Sequence, residues 1–172
     1  QAAIIQECLT DCKAEHIVFS YHGLPERHIT KSECAAHTCT RCDPCPMMQR
    51  DNRYCYRAQC FATSKLLAQK LNLSHEDYSV SFQSRLGGVP WIKPYTDLLL
   101  PELAKRKIKN IAVVCPSFVA DCLETLEEIG IRARTQWQLL GAEQLTLVPC
   151  LNADPKWVKV VADMIGDLTL KK

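Results

Sequence analysis

Short apolar runs alternate with longer segments of helical periodicity along this chain, and this alternation constrains the fold more than any other feature. The runs predict four strands: HIVFSY at 16–21, YSVSFQS at 78–84, NIAVVCP at 110–116 and QLTLVPC at 144–150. Apolar residues at helical spacing predict helices over 55–72, 94–106, 118–140 and 155–169. In the helix over 118–140, Gly130 is a point where the helix can bend or break, and the apolar side would hold Phe118, Leu123, Leu126, Ile129 and Trp137. The pattern is typical of an α/β fold, a parallel sheet of about four strands flanked by helices in a Rossmann-like arrangement.

Length and composition predict a single folded domain over residues 1–172. Apolar residues make up 47% of the chain and charged residues 23%, and the formal net charge of +2 indicates no particular class of partner. No apolar run approaches the roughly 20 residues that span a bilayer. The first residues predict an amphipathic helix rather than a signal peptide. Because the chain begins with Gln1, we expect it to be a fragment or a processed product.

Four of the eleven cysteines lie close together in the segment CAAHTCTRCDPC, with the spacing C-x4-C-x2-C-x2-C. Four thiolates this close can bind an iron–sulfur cluster or a tetrahedral zinc ion. The four are Cys34, Cys39, Cys42 and Cys45. They lie in a polar, irregular stretch over 25–54, so we expect a cysteine-rich metal-binding insertion at 31–54. The odd cysteine count, in a chain large enough to fold without disulfides, favours the reducing cytoplasm over secretion.

Side chains that can carry chemistry follow three of the predicted strands. His22 follows the first strand, Arg85 and Trp91 the second, and Asp121 and Glu124 the third. Because ligands of open parallel sheets bind beyond the carboxyl ends of the strands, we expect these residues to gather at one edge. The Gly87-Gly88 pair lacks the third glycine of a dinucleotide-binding loop, so we expect no nucleotide site there.

His22 and Glu124 have more than one interpretation. A histidine at this edge can bind a divalent metal or transfer a proton near neutral pH, or it can be a solvated loop residue. Glu124 can pair with that imidazole, relay protons or bind a metal. Alternatively, the acidic residues place favourable negative charge in the first turns of a helix. That explanation suffices for Glu127 and Glu128, and position alone does not separate Glu124 from them.

Five segments occur in the order found in one enzyme family: FSYHGLPE, QCFATSKLLAQKL, FQSRLGGVPWIKPYTD, CPSFVADCLETLEE and PCLNADP. Together they resemble the carboxy-terminal half of ferrochelatase, from Ile17 to Leu168. The resemblance implies a chelatase-like α/β domain. It also implies a lyase of haem biosynthesis that inserts ferrous iron into protoporphyrin IX or a related porphyrin.

The resemblance implies roles for particular residues. It places the family's catalytic histidine on His22 and its catalytic glutamate on Glu124, and both are then candidates to contact the substrate iron. It implies that Trp91, Cys122 and Arg85 line the porphyrin cleft, although Trp91 is equally interpretable as a core aromatic residue. Cys122 stands where many relatives have histidine, which removes one histidine from any proton relay.

The cysteine segment also matches a feature of the family. A bacterial subset of ferrochelatases carries cysteines for a 2Fe–2S cluster in this region, so the resemblance favours such a cluster. Structural zinc is the alternative, and disulfides come last. The ligands would be Cys34, Cys39, Cys42 and Cys45. Cys60 is interpreted as a packing residue and His37 as a solvent-facing loop residue that can replace a ligand. We expect the cluster to stabilise the loop rather than to carry electrons.

The resemblance covers only one of two similar halves that face each other across the porphyrin cleft in this family. We therefore expect the amino-terminal half as a partner, and little activity from this chain alone. The other expected partners are porphyrin and ferrous iron, with peripheral membrane contact and no nucleic acid. Two alternatives remain open: a non-catalytic iron–sulfur or zinc binding module, and a chelatase for another tetrapyrrole or metal.

Overall fold

A computed structural model describes residues 1–31, 48–50 and 52–169. Its centre is a four-stranded sheet with the strand order β2-β1-β3-β4, in which every neighbouring pair is parallel. The strands are β1 His16–His22, β2 Tyr78–Gln83, β3 Asn110–Val114 and β4 Gln144–Leu147. The predicted α/β fold with a parallel sheet of four strands is therefore confirmed.

Seven α-helices and one π-helical segment are found in the described residues. They are α1 Ala2–Asp11, α2 Glu26–Thr30, α3 Tyr56–Lys70, α4 Thr96–Lys105, α5 Leu123–Leu126, the π segment Glu128–Ala133, α6 Arg134–Leu139 and α7 Pro155–Thr169. Helices predicted over 55–72, 94–106 and 155–169 are confirmed to within two residues at each end. No helix in the described ranges is long and apolar enough to cross a membrane.

Alternate residues of β1 face two separate hydrophobic layers. On one face, Phe19 and Tyr21 pack with residues of α1 and α3, including Ile5. On the other face, Val18 belongs to a cluster that includes Trp137 of α6. Both faces of a parallel sheet must be covered, which explains why the first strand is buried along almost its whole length.

The single helix predicted over 118–140 is wrong. Residues between β3 and α5 form a loop, and the helical region that follows is interrupted by the π segment, which contains Gly130. Hydrogen bonds to the segment after β4 fix this loop. The Asp121 carboxylate accepts from Asn152 Nδ2 (2.7 Å) and from the Cys150 N–H (3.1 Å). The Asp121 N–H in turn donates to Asn152 Oδ1 at 2.8 Å. These tertiary contacts satisfy groups that a continuous helix would otherwise have paired.

Two further predictions differ from the structure. The predicted helix over 118–140 placed Leu123 and Leu126 on its buried side, yet they are 72% and 53% exposed. The stretch 25–54 was expected to be irregular, but Glu26–Thr30 forms the short helix α2, with Ile29 buried. No disulfide links cysteines in the part of the chain that the structure describes. The four clustered cysteines and His37 lie outside the described residues.

His16, at the start of β1, is a buried histidine with a lowered pKa. The side chain is 2% exposed, and its Nε2 lies 2.9 Å from the Ser79 hydroxyl. Burial is the main cause that lowers the pKa of His16 to about 4, and the positive charge of Arg106 lowers it further. Asp77 and the Glu76 backbone oppose this effect. His16 is therefore neutral in the folded protein at neutral pH.

We expect this histidine to make stability fall in mild acid. Between about pH 6.5 and pH 4 the unfolded chain binds a proton on His16 and the folded chain does not. The free energy of unfolding should therefore decrease as the pH is lowered through that window, by up to about 3 kcal/mol. Urea unfolding across the window should give a flatter pH dependence for His16→Gln. The exposed-histidine control His28→Gln should keep the wild-type slope, and an unchanged slope in His16→Gln would contradict the assignment.

Candidate active site at the carboxyl edge of the sheet

His22 is the last residue of β1 and lies between two aromatic rings. The imidazole centroid is 6.4 Å from the Trp91 ring and 6.1 Å from the Phe118 ring. Trp91 follows β2 and Phe118 follows β3, the two strands that flank β1. The structure thus brings His22 and Trp91 together at one edge of the sheet, as expected for residues that follow parallel strands. It adds Phe118, which the sequence suggested only as a helix core residue.

The His22 ring has a defined hydrogen-bond partner. Its Nδ1 lies 2.6 Å from the carbonyl oxygen of Gly23. A carbonyl oxygen can only accept, so Nδ1 carries the hydrogen, and Nε2 of the neutral ring keeps a lone pair. Nε2 is therefore the atom that can accept a proton or bind a metal ion.

Gly23 permits this arrangement because the backbone here is closely approached by β2 and its loop. A Cβ atom at this position would lie 2.9 Å from the Gln83 carbonyl oxygen and 3.1 Å from the Trp91 ring. The Gly23 N–H donates to that same Gln83 oxygen at 2.8 Å. Any side chain at this position would push apart the elements that form the site.

Glu124 lies in α5 and provides negative charge close to the histidine. The pKa of Glu124 is lowered first by a hydrogen bond from its own backbone N–H and then by one from the Cys122 side chain. The His22 imidazole lowers it further through charge interaction. The carboxylate is therefore ionised at neutral pH, and it lies within range of a charge interaction with His22.

Glu128 has a role that the sequence did not reveal. Its carboxylate accepts hydrogen bonds from the Ser84 N–H (2.8 Å), the Ser84 hydroxyl (2.6 Å) and Gln83 Nε2 (3.3 Å). The same Gln83 amide donates to the Glu124 backbone carbonyl at 2.6 Å. Interpreting Glu128 as helix charge alone was therefore wrong: it ties the π segment to the end of β2. Only the folded topology brings these residues together, so no local sequence signal could have found the contact.

A family model described as Ferrochelatase matches residues 1–168. The chain belongs to the ferrochelatase family. It is 56% identical over 161 residues to a curated ferrochelatase of Coxiella burnetii (strain Dugway 5J108-111), covering 94% of this chain and 46% of that relative. It is 55% identical over 152 residues to a ferrochelatase of Legionella pneumophila (strain Lens), covering 88% of this chain and 45% of that one. The chain thus spans about half the length of these relatives.

A solved structure was also found to be similar to this ferrochelatase-family chain. It is described as a cobalamin (vitamin B12) biosynthesis CbiX protein from Marinobacter aquaeolei VT8. The sequence identity is 13% and the TM-score is 0.48, with 91% of this chain and 98% of the other covered.

Asp121 does not share the surroundings of Glu124 in this member of the ferrochelatase family. Partial burial acts to raise the pKa of Asp121, but hydrogen bonds from Asn152 and Cys150 outweigh burial and lower it. Its carboxylate thus joins the loop after β3 to the segment after β4. Asp121 holds the loop that carries Phe118, and we find no contact between its carboxylate and His22 among the described hydrogen bonds.

Arg85 and Cys122, which the family resemblance assigns to the porphyrin cleft, have structural partners here. The Arg85 guanidinium pairs with Asp97 at 2.5 Å and lies over the Tyr95 ring, 4.5 Å from its centroid. Cys122 precedes α5, and its N–H donates to the Thr125 hydroxyl at 3.0 Å. In the described residues of this ferrochelatase-family chain, no three or more His, Cys, Asp or Glu side chains are grouped to hold a metal ion.

Proposed function

We propose that the full-length protein inserts ferrous iron into a porphyrin, protoporphyrin IX or a close relative, as a ferrochelatase of haem biosynthesis. The proposal rests mainly on the position of the His22 imidazole, whose Nε2 lone pair lies at the same sheet edge as the ionised Glu124. Membership of the ferrochelatase family supports the same reaction class. Because the chain covers 46% of its relative, the activity is proposed for the whole protein.

The reaction needs a base at the ring. A porphyrin loses its two pyrrole protons when Fe²⁺ binds to the four nitrogens, so both protons must leave the macrocycle. Nε2 of neutral His22 can accept a proton, and the Glu124 carboxylate stabilises the imidazolium that forms. Release of that proton to solvent returns the ring to its neutral form for the second transfer. The same lone pair can instead bind the incoming iron, and both roles require Nε2 to be unprotonated.

Exposed apolar side chains near this edge suit a flat, apolar substrate. Leu86 and Val89 in the loop after β2 are 80% and 44% exposed, and Val119 in the loop after β3 is 51% exposed. Together with Trp91, which is also in the loop after β2, they would form one wall of a porphyrin cleft, to which Arg85 and Cys122 would also belong. The opposite wall would come from the amino-terminal half of the protein, and the 172-residue chain alone would have little or no activity.

We further propose that a 2Fe–2S cluster is bound by Cys34, Cys39, Cys42 and Cys45. The support is their spacing and the softness of thiolate ligands, and structural zinc is the alternative. The cluster would hold the insertion in place, and no step of iron insertion requires it. Thiolate ligands of this kind persist in a reducing compartment, so we propose a cytoplasmic location for the protein. We also propose peripheral contact with the inner face of the membrane.

Removing the base should abolish iron insertion. In the full-length protein, we expect His22→Ala to lower kcat at least about 100-fold and Glu124→Gln at least about tenfold, because proton transfer loses its acceptor or its counter-charge. Haem formation from porphyrin and Fe²⁺, followed by absorbance without oxygen, measures both. His28→Ala, at an exposed position of α2, should retain wild-type activity. A wild-type rate in His22→Ala would overturn the proposal, and a wild-type protein that binds iron or zinc without metallating porphyrin would favour a binding module.

The cluster proposal has a separate test. Protein purified without oxygen should absorb visible light and contain about two iron and two sulfide ions per chain. Cys39→Ser should lose both the colour and thermal stability, whereas Cys8→Ser, in α1 and outside the insertion, should keep the colour. A colourless protein loaded with zinc would exclude the cluster and leave the iron-insertion proposal unaffected.

A further inference from the structure

Two side-chain hydroxyls form hydrogen bonds with the backbone of His22. The His22 N–H donates to the Ser117 hydroxyl at 3.1 Å. The Tyr56 hydroxyl donates to the His22 carbonyl oxygen at 2.8 Å. Three separate parts of the chain meet here: the end of β1, the first residue of α3 and the loop after β3.

The direction of each hydrogen bond follows from the donors and acceptors available. The His22 N–H can only donate and its carbonyl oxygen can only accept, so the Ser117 hydroxyl accepts the first bond and the Tyr56 hydroxyl donates the second. Burial, more than any other cause, raises the pKa of Tyr56 above its ordinary range, and the neighbouring Cys60 adds to this. Tyr56 therefore remains a protonated phenol and a donor at every pH at which the protein works.

The Tyr56 hydroxyl helps to fix the peptide plane next to the His22 imidazole. The His22 carbonyl belongs to the peptide that joins His22 to Gly23, and the N–H of that peptide donates to the Gln83 carbonyl at 2.8 Å. The plane is thus held from both sides, by Tyr56 and by Gln83. Any rotation of this peptide would move Gly23, whose own carbonyl accepts the Nδ1 hydrogen at 2.6 Å. The tautomer of the His22 imidazole therefore depends on the Tyr56 hydroxyl.

Ser117 extends the effect to the other side of the imidazole. It directly precedes Phe118, whose ring centroid lies 6.1 Å from that of His22. A bond from the His22 N–H to Ser117 therefore sets how close Phe118 approaches the imidazole. The backbone, the tautomer and one aromatic neighbour of His22 are thus held through these two hydrogen bonds.

We propose that Tyr56 and Ser117 are positioning residues that fix the His22 imidazole with Nε2 available for the proton or the metal. This inference rests on the proposed function of His22 and adds two residues that touch neither the imidazole nor a substrate. The Tyr56 hydroxyl was not distinguished by the sequence, because it follows the cysteine-rich insertion and lies 34 positions beyond His22.

The test uses Tyr56→Phe, Ser117→Ala and the double variant in the full-length protein, with Tyr54→Phe as the matched control. Tyr54 lies two residues before Tyr56, and its side chain is 63% exposed. Three properties are measured: thermal unfolding, kcat and KM for porphyrin metallation, and the NMR signals of the His22 amide and ring. Tyr56→Phe retains the aromatic ring, so it removes one hydroxyl without opening a large cavity.

We expect Tyr56→Phe to lower kcat about tenfold with KM for porphyrin changed less than about twofold, because misplacing the base affects chemistry rather than binding. The His22 signals should shift in Tyr56→Phe and Ser117→Ala and stay in place in Tyr54→Phe. The double variant should lose little more activity than the more impaired single variant, since both hydrogen bonds fix the same imidazole.

Unmoved His22 signals with an unchanged kcat in a folded Tyr56→Phe protein would overturn the inference. Losses that multiply in the double variant would also overturn it, because they would show two independent roles. A wild-type protein without metallation activity would defeat the proposed function instead, and the NMR shifts would still decide whether Tyr56 and Ser117 hold His22.

Discussion

β1 lies between β2 and β3 and pairs with both in parallel, and the candidate site depends on this arrangement. Because all three strands point the same way, the loops that follow them leave the sheet at one edge. The loop after β2 supplies Trp91, and the loop after β3 supplies Phe118 and leads to Glu124. His22 ends the central strand, so it meets residues from both sides. A strand at the edge of the sheet would bring its last residue close to only one such loop.

Four acidic residues lie between the end of β3 and the first residue of the π segment, and their surroundings differ. Glu127 pairs with Arg132 at 2.8 Å. Asp121 is bound by Asn152 and holds the loop, and Glu128 is bound by Ser84 and joins the π segment to β2. Glu124 is left with local backbone and thiol partners and with the charge of the imidazole nearby. The hydrogen bonds of the two outer residues therefore leave Glu124 as the acidic residue of this segment best placed to balance charge on His22.

The parallel sheet, the edge where its chemistry-bearing loops gather and most helix positions could be predicted from the sequence, because apolar periodicity reports local burial directly. The same reasoning failed between β3 and α6. Helical periodicity continues there through residues that are held in a loop by hydrogen bonds between Asp121 and the segment after β4. Glu128, Phe118 and Tyr56 were missed for a related reason. Each acts through a partner far away in sequence, and hydrogen bonds such as that from Tyr56 to the His22 carbonyl depend on the folded topology.

The central claim is that His22 keeps Nδ1 protonated through Gly23 and leaves Nε2 as the reactive atom. Nitrogen-15 NMR of the imidazole, assigned by its absence in His22→Asn and recorded at a pH where the ring is neutral, measures this directly. We predict a hydrogen on Nδ1 and a bare lone pair on Nε2. A hydrogen on Nε2 with an unprotonated Nδ1 would contradict the proposed geometry and the role of His22 that rests on it.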